Sequence, residues 1–340
     1  MSNSTVSGGP ALATAAVTAA QAGRRKPPRL GRRKLTFDFV SFLVVFLGVP
    51  LAIFLIFVIS PFVQALYYGM TNWTGFSPNM QFTGIQNFVT LFNDPIFLRA
   101  MLNNIVLALI VPLITIVIAL IFASMITVGG PSHGQVRGLK GSSFYRVISF
   151  FPYVIPAIVI AILWNMIYAP TGLFNGLLGL IGIDTNQFSW LGDERTAMGA
   201  TIFVIVWSMV GFYMILFIAA IKGIPAETLE AARIDGAGRW RTVRSILLPQ
   251  MRDNVQTAYI YLGIMALDAF VYMAGLNSTG GPGNSTLVMS QYLFRTAFEK
   301  GQFGLATAMG IVLAVITLLF AALIIGLFRL FAGRDEGGRS

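Results

Sequence analysis

Six long apolar segments dominate the sequence and restrict what the chain can fold into. About 20 consecutive apolar residues are needed for a helix to cross the hydrocarbon core of a bilayer. The segments are 40–66, 100–128, 147–168, 198–221, 254–275 and 304–328, and five of the six contain no Asp, Glu, Lys or Arg. No small-residue cleavage site follows the first segment, so we expect it to remain as an anchor. The sequence therefore predicts an all-α membrane protein with six transmembrane helices.

Lysine and arginine residues orient the predicted bundle, because cytoplasmic loops carry an excess of both. If both termini are cytoplasmic, the inside segments hold 19 of these residues: seven before the first span, three in 129–146, six in 222–253 and three after Phe328. The outside segments hold four, namely Arg99, Arg195, Arg295 and Lys300. The asymmetry predicts that both termini, and the loop 222–253, face the cytoplasm.

Composition limits the chemistry further. The chain has no cysteine and a single histidine, His133, which excludes disulfides, Cys-based zinc sites and His-rich metal sites. We expect no cofactor. We divide the chain into a disordered basic tail at 1–38, a transmembrane permease domain at 39–330 and a cytoplasmic tail at 331–340. The net charge of +10 is explained by topology, and we expect the basic tail to rest on anionic membrane lipids. A protein partner or nucleic acid is the alternative for that tail.

The loop 222–253 gathers ten of the 36 charged residues of the chain. Pro225 suits the first turn of a helix, and Glu230 favours its positive N-terminal end. Gly236 is expected to end this helix, because glycine readily takes the left-handed conformation. A second helix is predicted after the turn, until Pro249 ends it.

On the second helix, Trp240, Val243 and Leu247 form one stripe, while Arg241 and Arg244 lie on another face. The loop is thus predicted to be an amphipathic helix-turn-helix. One side can pack beneath the bundle and the other can dock into a partner. A solvated loop without a partner is the alternative that physics alone leaves open.

The same loop resembles the EAA loop of ATP-binding-cassette (ABC) importer permeases. The matching residues are Glu230, Ala231, Ala232, Gly236, Ile246, Leu248 and Pro249. The loop lies between the fourth and fifth of the six predicted spans, where that family places it. The resemblance covers roughly residues 38–330, and segments 82–104 and 278–286 are similar to the outer segments of maltose-type sugar permeases.

The resemblance implies a multi-pass protein of the bacterial plasma membrane with a type I ABC importer permease fold. Its partners would be a second permease subunit, two cytoplasmic ATP-binding subunits and an extracytoplasmic solute-binding protein. The EAA residues would form a coupling helix that fits into a cleft of the ATPase. Glu230 would be the acidic contact and Gly236 the turn, while Trp240 and Val243 would pack against the bundle. The chain has no G-x-x-x-x-G-K-[ST] sequence, so ATP hydrolysis is expected in a separate subunit.

The implied function is the import of a carbohydrate, a monosaccharide or a small oligosaccharide. Resemblance inclines us toward N-acetylglucosamine-type sugars, although no residue favours them over other sugars. An ABC permease for a non-sugar solute, a secondary transporter driven by an ion gradient, and a channel or membrane scaffold are the alternatives. Secondary transporters usually carry several ionisable groups within the membrane, and here only Asp268 lies within a predicted span.

Asp268 is the principal candidate for the substrate pathway. It lies about 21 Å beyond Asn254, at roughly 1.5 Å per residue, which places it toward the outside. A carboxylate facing lipid would cost about 2.5–3.5 kcal/mol or more, so it should face the bundle interior or a watery cavity. In one continuous helix, Tyr261, Met265 and Tyr272 would share its face, and that stripe suits a sugar.

Two other interpretations stay open. Asp268 could instead make a hydrogen bond or a salt bridge to the partner permease. Trp164 and Asn165 on the third span are the second choice for the pathway. They rank below Asp268 because aromatic residues near a helix end are usually interfacial anchors.

Overall fold

The computed structural model describes residues 37–77, 79–127, 141–185 and 187–336. Most of these residues are helical, and the β-pairing among them is a single bridge between Thr71 and Phe82. The basic N-terminal tail up to residue 36, the basic stretch 128–140 and the last four residues lie outside the described residues. The final helix runs to Glu336, so it continues into the segment predicted as a C-terminal tail.

The chain divides into two units, residues 1–62 and residues 63–340. The described part of the first unit belongs to helix α1, Phe37–Gly69. Two π-helical turns, Val44–Gly48 and Leu55–Ile59, interrupt its α-helical geometry. None of its residues between 37 and 59 is buried. A helix that is apolar on all sides is suited to contact lipid or another membrane helix.

Besides the 3-10 turn Pro282–Asn284, the second unit contains twelve further helical segments among its described residues. They are α2 Gln86–Asn93, α3 Pro95–Thr127, α4 Ser142–Val154, α5 Ala157–Ile167, α6 Leu173–Leu180, α7 Ala197–Lys222, α8 Ala226–Ile234, α9 (Arg239–Thr242, the π-helical turn Val243–Leu247 and Leu248–Gln250), α10 Arg252–Leu267, α11 Phe270–Leu276, α12 (Met289–Phe294 and the π-helical turn Arg295–Glu299) and α13 Phe303–Glu336.

Four helices, α1, α3, α7 and α13, are continuous and long enough to cross a membrane. The third and fifth predicted spans are not single helices: α4 and α5 meet at 97°, and α10 and α11 meet at 50°. The total is six spans if each bent pair counts as one. Pro156 explains the first bend, because proline pushes the preceding Ile155 into an extended conformation (φ −76°, ψ 133°).

Helix α3 packs along α7 and α10. Met214 and Phe217 of α7 and Leu262 of α10 are fully buried in this contact. Helix α7 also approaches α4 very closely. A Cβ on Gly211 would collide with the carbonyl group of Ser149, so only glycine permits this crossing. These contacts fix the helices that carry the charged loop and the bend between α10 and α11.

Candidate functional site

The charged loop folds as the predicted helix-turn-helix. Helix α8 ends in a turn in which the Asp235 N–H donates to the Ala231 carbonyl at 3.0 Å and the Ala237 N–H donates to the Ala232 carbonyl at 2.9 Å. The second bond spans six residues, the pattern of a Schellman motif. Gly236 carries this turn with a φ of 72°. The left-handed conformation expected of Gly236 is therefore confirmed.

The first helix of the loop has two different faces. Leu229 and Ala232 are buried, and Leu229 joins the apolar cluster that contains Phe217. Glu230 and Ala231, by contrast, are exposed. The buried face anchors the loop to the bundle, which leaves the EAA carboxylate free to meet another molecule.

The second helix departs from the predicted packing at Trp240. Leu247 is buried and Val243 is half-buried as expected, but the Trp240 side chain is 71% exposed. The stripe prediction is wrong at this residue, because the apolar cluster that contains Leu247 and Val243 does not extend to Trp240. The loop thus presents a large apolar side chain to its surroundings, a feature typical of interaction sites.

Pro249 does not end the second helix where it was predicted to. The helix continues to Gln250 and ends at Met251, whose φ and ψ are −99° and 11°. A π-helical turn, Val243–Leu247, precedes the proline, and such turns change the backbone pairing that a proline would otherwise break. Pro249 is exposed, whereas the matching residues Ile246 and Leu248 are half-buried.

Asp268 lies at the bend between α10 and α11. Its backbone N–H donates to the carbonyls of Ile264 and Met265, both at 3.2 Å, and its φ and ψ of −106° and 50° are not helical. The side chain is exposed in the isolated chain. The backbone N–H of Asp268 therefore caps the end of α10. Its carboxylate is exposed at the bend and can contact another molecule.

The predicted stripe around Asp268 is wrong at Tyr272, because the bend separates this residue from Tyr261 and Met265, which both lie on α10. Tyr272 lies beyond the break, is 6% exposed and shares a 2.9 Å hydrogen bond with the Ser208 hydroxyl. Tyr261, below the break, is 68% exposed. Tyr272 thus stabilises the contact between α7 and α11, and Tyr261 is the only aromatic residue of the predicted stripe that faces open space.

The second-choice residues on α5 have structural contacts of their own. The Asn165 Nδ2 donates to the Leu276 carbonyl at 2.8 Å and joins α5 to the end of α11. The Trp164 ring lies in an aromatic cluster with Tyr168, Phe203 and Trp207, with centroid distances of 5.2 to 5.4 Å. These contacts account for both side chains without a substrate.

A cavity of about 520 Å³ lies between α4, α7 and α10. Aromatic and polar side chains line it together: Tyr153, Phe212, Tyr213, Asp253, Asn254, Thr257 and Tyr261. Tyr153 and Phe212 stack at 4.5 Å. Only Tyr261 of these was singled out from the sequence. Asn254, Thr257 and Tyr261 recur every three or four residues, and this helical periodicity could have indicated a polar face.

A second cavity, of about 660 Å³, lies between α3, α4 and α7. Its lining is almost wholly aliphatic and aromatic, with Ser149 as the one hydroxyl side chain among the residues that form it. Such a surface has too few hydrogen-bonding groups for a polyhydroxylated ligand. The smaller cavity is therefore the better candidate for a polar solute.

The fold and the loop together define a multi-pass helical transport subunit with a docking element for a soluble partner. The chain belongs to the family of binding-protein-dependent transport system inner membrane components, which it matches over residues 126–334. It is accordingly a multi-pass permease of an ABC importer in the plasma membrane, a transport subunit that works with an ATPase and a binding protein.

Two relatives illustrate the family. The chain is 58% identical over 325 residues to the diacetylchitobiose uptake system permease protein of Streptomyces coelicolor, covering 94% of this chain and 92% of that protein. It is 32% identical to the multiple sugar-binding transport system permease protein of Streptococcus mutans, covering 84% and 94%. A bacterial alginate ABC transporter, solved with an alginate-bound periplasmic protein, contains a chain with 25% identity and a TM-score of 0.72, covering 88% and 98%. The predicted importer permease fold is confirmed.

Proposed function

We propose that this chain is the permease subunit of an ABC importer for a small neutral oligosaccharide, with N-acetylated disaccharides of the diacetylchitobiose type as the preferred cargo. The identity of 58% to a diacetylchitobiose uptake permease supports this cargo. ATP hydrolysis belongs to separate subunits. The assembly comprises this chain, a second permease subunit, two cytoplasmic ATP-binding subunits and an extracytoplasmic solute-binding protein.

The aromatic and polar cavity is the observation that carries the proposal. Aromatic faces cover the apolar C–H surfaces of a sugar ring, and hydroxyl and amide groups exchange hydrogen bonds with its hydroxyls. The volume of about 520 Å³ lies within the range of about 300–1,000 Å³ for small-molecule sites. Asn254 and Thr257 can each both donate and accept hydrogen bonds, which an acetamido group requires.

Charge favours a neutral cargo over an acidic one. The described residues that line the cavity include the carboxylate of Asp253 but no lysine or arginine. An acidic sugar would be repelled there without a compensating cation. Asp268, on the same span and nearer its outer end, adds a second carboxylate along the route that we propose for the sugar.

The charged loop supports the coupling part of the proposal. Glu230 is exposed on the first helix and Trp240 on the second, so an ATPase cleft could receive both. The seven EAA residues are proposed to transmit closure of the ATPase to α10, which follows the loop directly.

Transport by the complete importer in proteoliposomes tests the function. The expected result is uptake of labelled diacetylchitobiose that requires enclosed ATP and loaded binding protein and persists without an ion gradient. Uptake driven by an ion gradient alone would instead indicate a secondary transporter. Failure to transport the acetylated disaccharide, with uptake of a different solute, would reject the proposed cargo.

The Tyr261→Ala variant tests the cavity. We expect uptake at saturating loaded binding protein to fall about twofold to tenfold, from the roughly 0.5–1.5 kcal/mol of one aromatic contact. Ile264→Ala is the matched control, because Ile264 lies on the same helix, is exposed and does not line the cavity. Equal uptake by the two variants would remove the cavity from the pathway.

A further inference from the structure

Two consecutive asparagines on α3 are buried in a predominantly apolar helix. Asn104 is 0% exposed and Asn103 is 5% exposed. Burying an amide costs free energy unless its hydrogen bonds are made, so each side chain must be matched to specific partners. Both sets of partners lie more than 160 residues away along the chain.

Asn104 connects the bend in the fifth span to the start of α12. Its Nδ2 donates to the Leu267 carbonyl at 2.6 Å, and its Oδ1 accepts from the Met289 N–H at 2.7 Å. Leu267 is the last residue of α10 and Met289 is the first of α12, positions where helices leave carbonyl and N–H groups unpaired. One amide therefore caps two helix ends. Only one orientation of the amide satisfies both partners.

Asn103 holds the outer segment between α11 and α12. Its Nδ2 donates to the carbonyls of Asn284 and Leu287 at 3.0 and 2.8 Å. Tyr292 ties α12 down separately, since its hydroxyl donates to the Asp94 carboxylate at 2.6 Å. Burial, reinforced by this hydrogen bond and by the negative charge of Asp94, raises the pKa of Tyr292 to about 12. The hydroxyl accordingly remains a donor at physiological pH.

We infer that Asn103 and Asn104 form a clamp that makes the outer segment and the bend at Asp268 move together. A displacement of the segment 278–289 must pull on Asn104, and Asn104 in turn holds the carbonyl of Leu267, the residue before Asp268. Both are positioning residues. The inference rests on the proposed function, in which a loaded binding protein engages the outer surface and its arrival must reach the substrate pathway and the ATPase.

The decisive variants are Asn104→Asp and Asn104→Leu. Asn104→Asp keeps an oxygen for the Met289 N–H but loses the donor to Leu267, whereas Asn104→Leu removes both bonds at similar volume. Tyr292→Phe is the matched control, because it removes a separate attachment of α12, the hydrogen bond to Asp94, and leaves the clamp intact. The readouts are co-purification of the partner subunits, basal ATP hydrolysis and its stimulation by sugar-loaded binding protein.

We expect both Asn104 variants to assemble and to retain basal hydrolysis, while stimulation falls about tenfold, within the usual range of coupling between sites. Tyr292→Phe should keep stimulation within about twofold of the parent. Normal stimulation in the Asn104 variants, a proportional fall of basal and stimulated rates, or failure of both variants to assemble would overturn the inference. A parent complex that no sugar-loaded binding protein stimulates would instead refute the proposed function.

Discussion

Replacing Gly236 by threonine should uncouple the importer, because the substitution acts on the turn between the two helices of the charged loop. Gly236 has a φ of 72°, and a Cβ there would meet nothing within 4 Å. The cost of the substitution therefore comes from the backbone conformation alone. The left-handed conformation costs an L-residue about 1–2 kcal/mol, and a β-branched residue is especially poorly suited to it.

The chain offers a control two residues away. Gly238 is also exposed and a Cβ there also meets nothing within 4 Å, but its φ is not positive. Gly238 precedes α9, and its carbonyl accepts from the Thr242 N–H at 2.9 Å. Threonine is about as good as glycine at such a position. Gly238→Thr should therefore be nearly silent, and Gly236→Asn should be intermediate, since asparagine tolerates the left-handed region.

A cost of about 1–2 kcal/mol lowers the population of the native turn relative to its alternatives by a factor of roughly 5 to 30. Uptake and stimulated ATP hydrolysis by Gly236→Thr should fall, by at most this factor, while the amount of protein in the membrane stays unchanged. Activity should be highest in Gly238→Thr, intermediate in Gly236→Asn and lowest in Gly236→Thr. Equal losses at both glycines, or normal coupling in Gly236→Thr, would refute the argument.

Three further outcomes are expected. Because the chain has no native cysteine, single introduced cysteines can report topology. A cysteine at Asn93 should react with an impermeant reagent in intact cells, and one at Gly238 should not. The reverse pattern would contradict the predicted orientation. Trp240→Ala should weaken retention of the ATPase subunit about 30-fold or more, as for a buried aromatic hot spot, and unchanged co-purification would exclude Trp240 from the interface. Asp268→Asn should reduce transport with assembly intact, whereas loss of the partner permease would assign Asp268 to subunit contact.

The spans were predictable from the sequence because length and hydropathy are local properties. Their continuity was not. The bend before Pro156 had a local signal, since proline restricts the residue that precedes it. The bend at Asp268 had no comparable signal: the carbonyl of the preceding Leu267 is paired with Asn104, which lies 163 residues away along the chain. The helical periodicity of the sequence assumes an unbroken helix there, and it therefore wrongly placed Tyr272 on the same face as Asp268 and Tyr261.

The charged loop was predictable for a different reason. Its turn depends on one glycine, and a left-handed helix end is encoded locally. The exposure of Trp240 was not predictable, because a stripe of apolar residues does not reveal how far the packed surface beneath it extends. The aromatic cavity was likewise hidden, since it arises where three helices meet and its Tyr153 and Tyr213 come from separate spans.

Helix α10 joins the features on which the proposals depend. It has 16 residues, about 24 Å at roughly 1.5 Å per residue, and no proline interrupts it. The charged loop ends in its first turn, its Tyr261 lines the cavity, and the clamp caps its last residue. Phe320 of α13 packs so closely against Gly263 that a Cβ there would collide with the ring. A helix without a break moves as one piece, so a displacement at the loop reaches the cavity wall and the bend together.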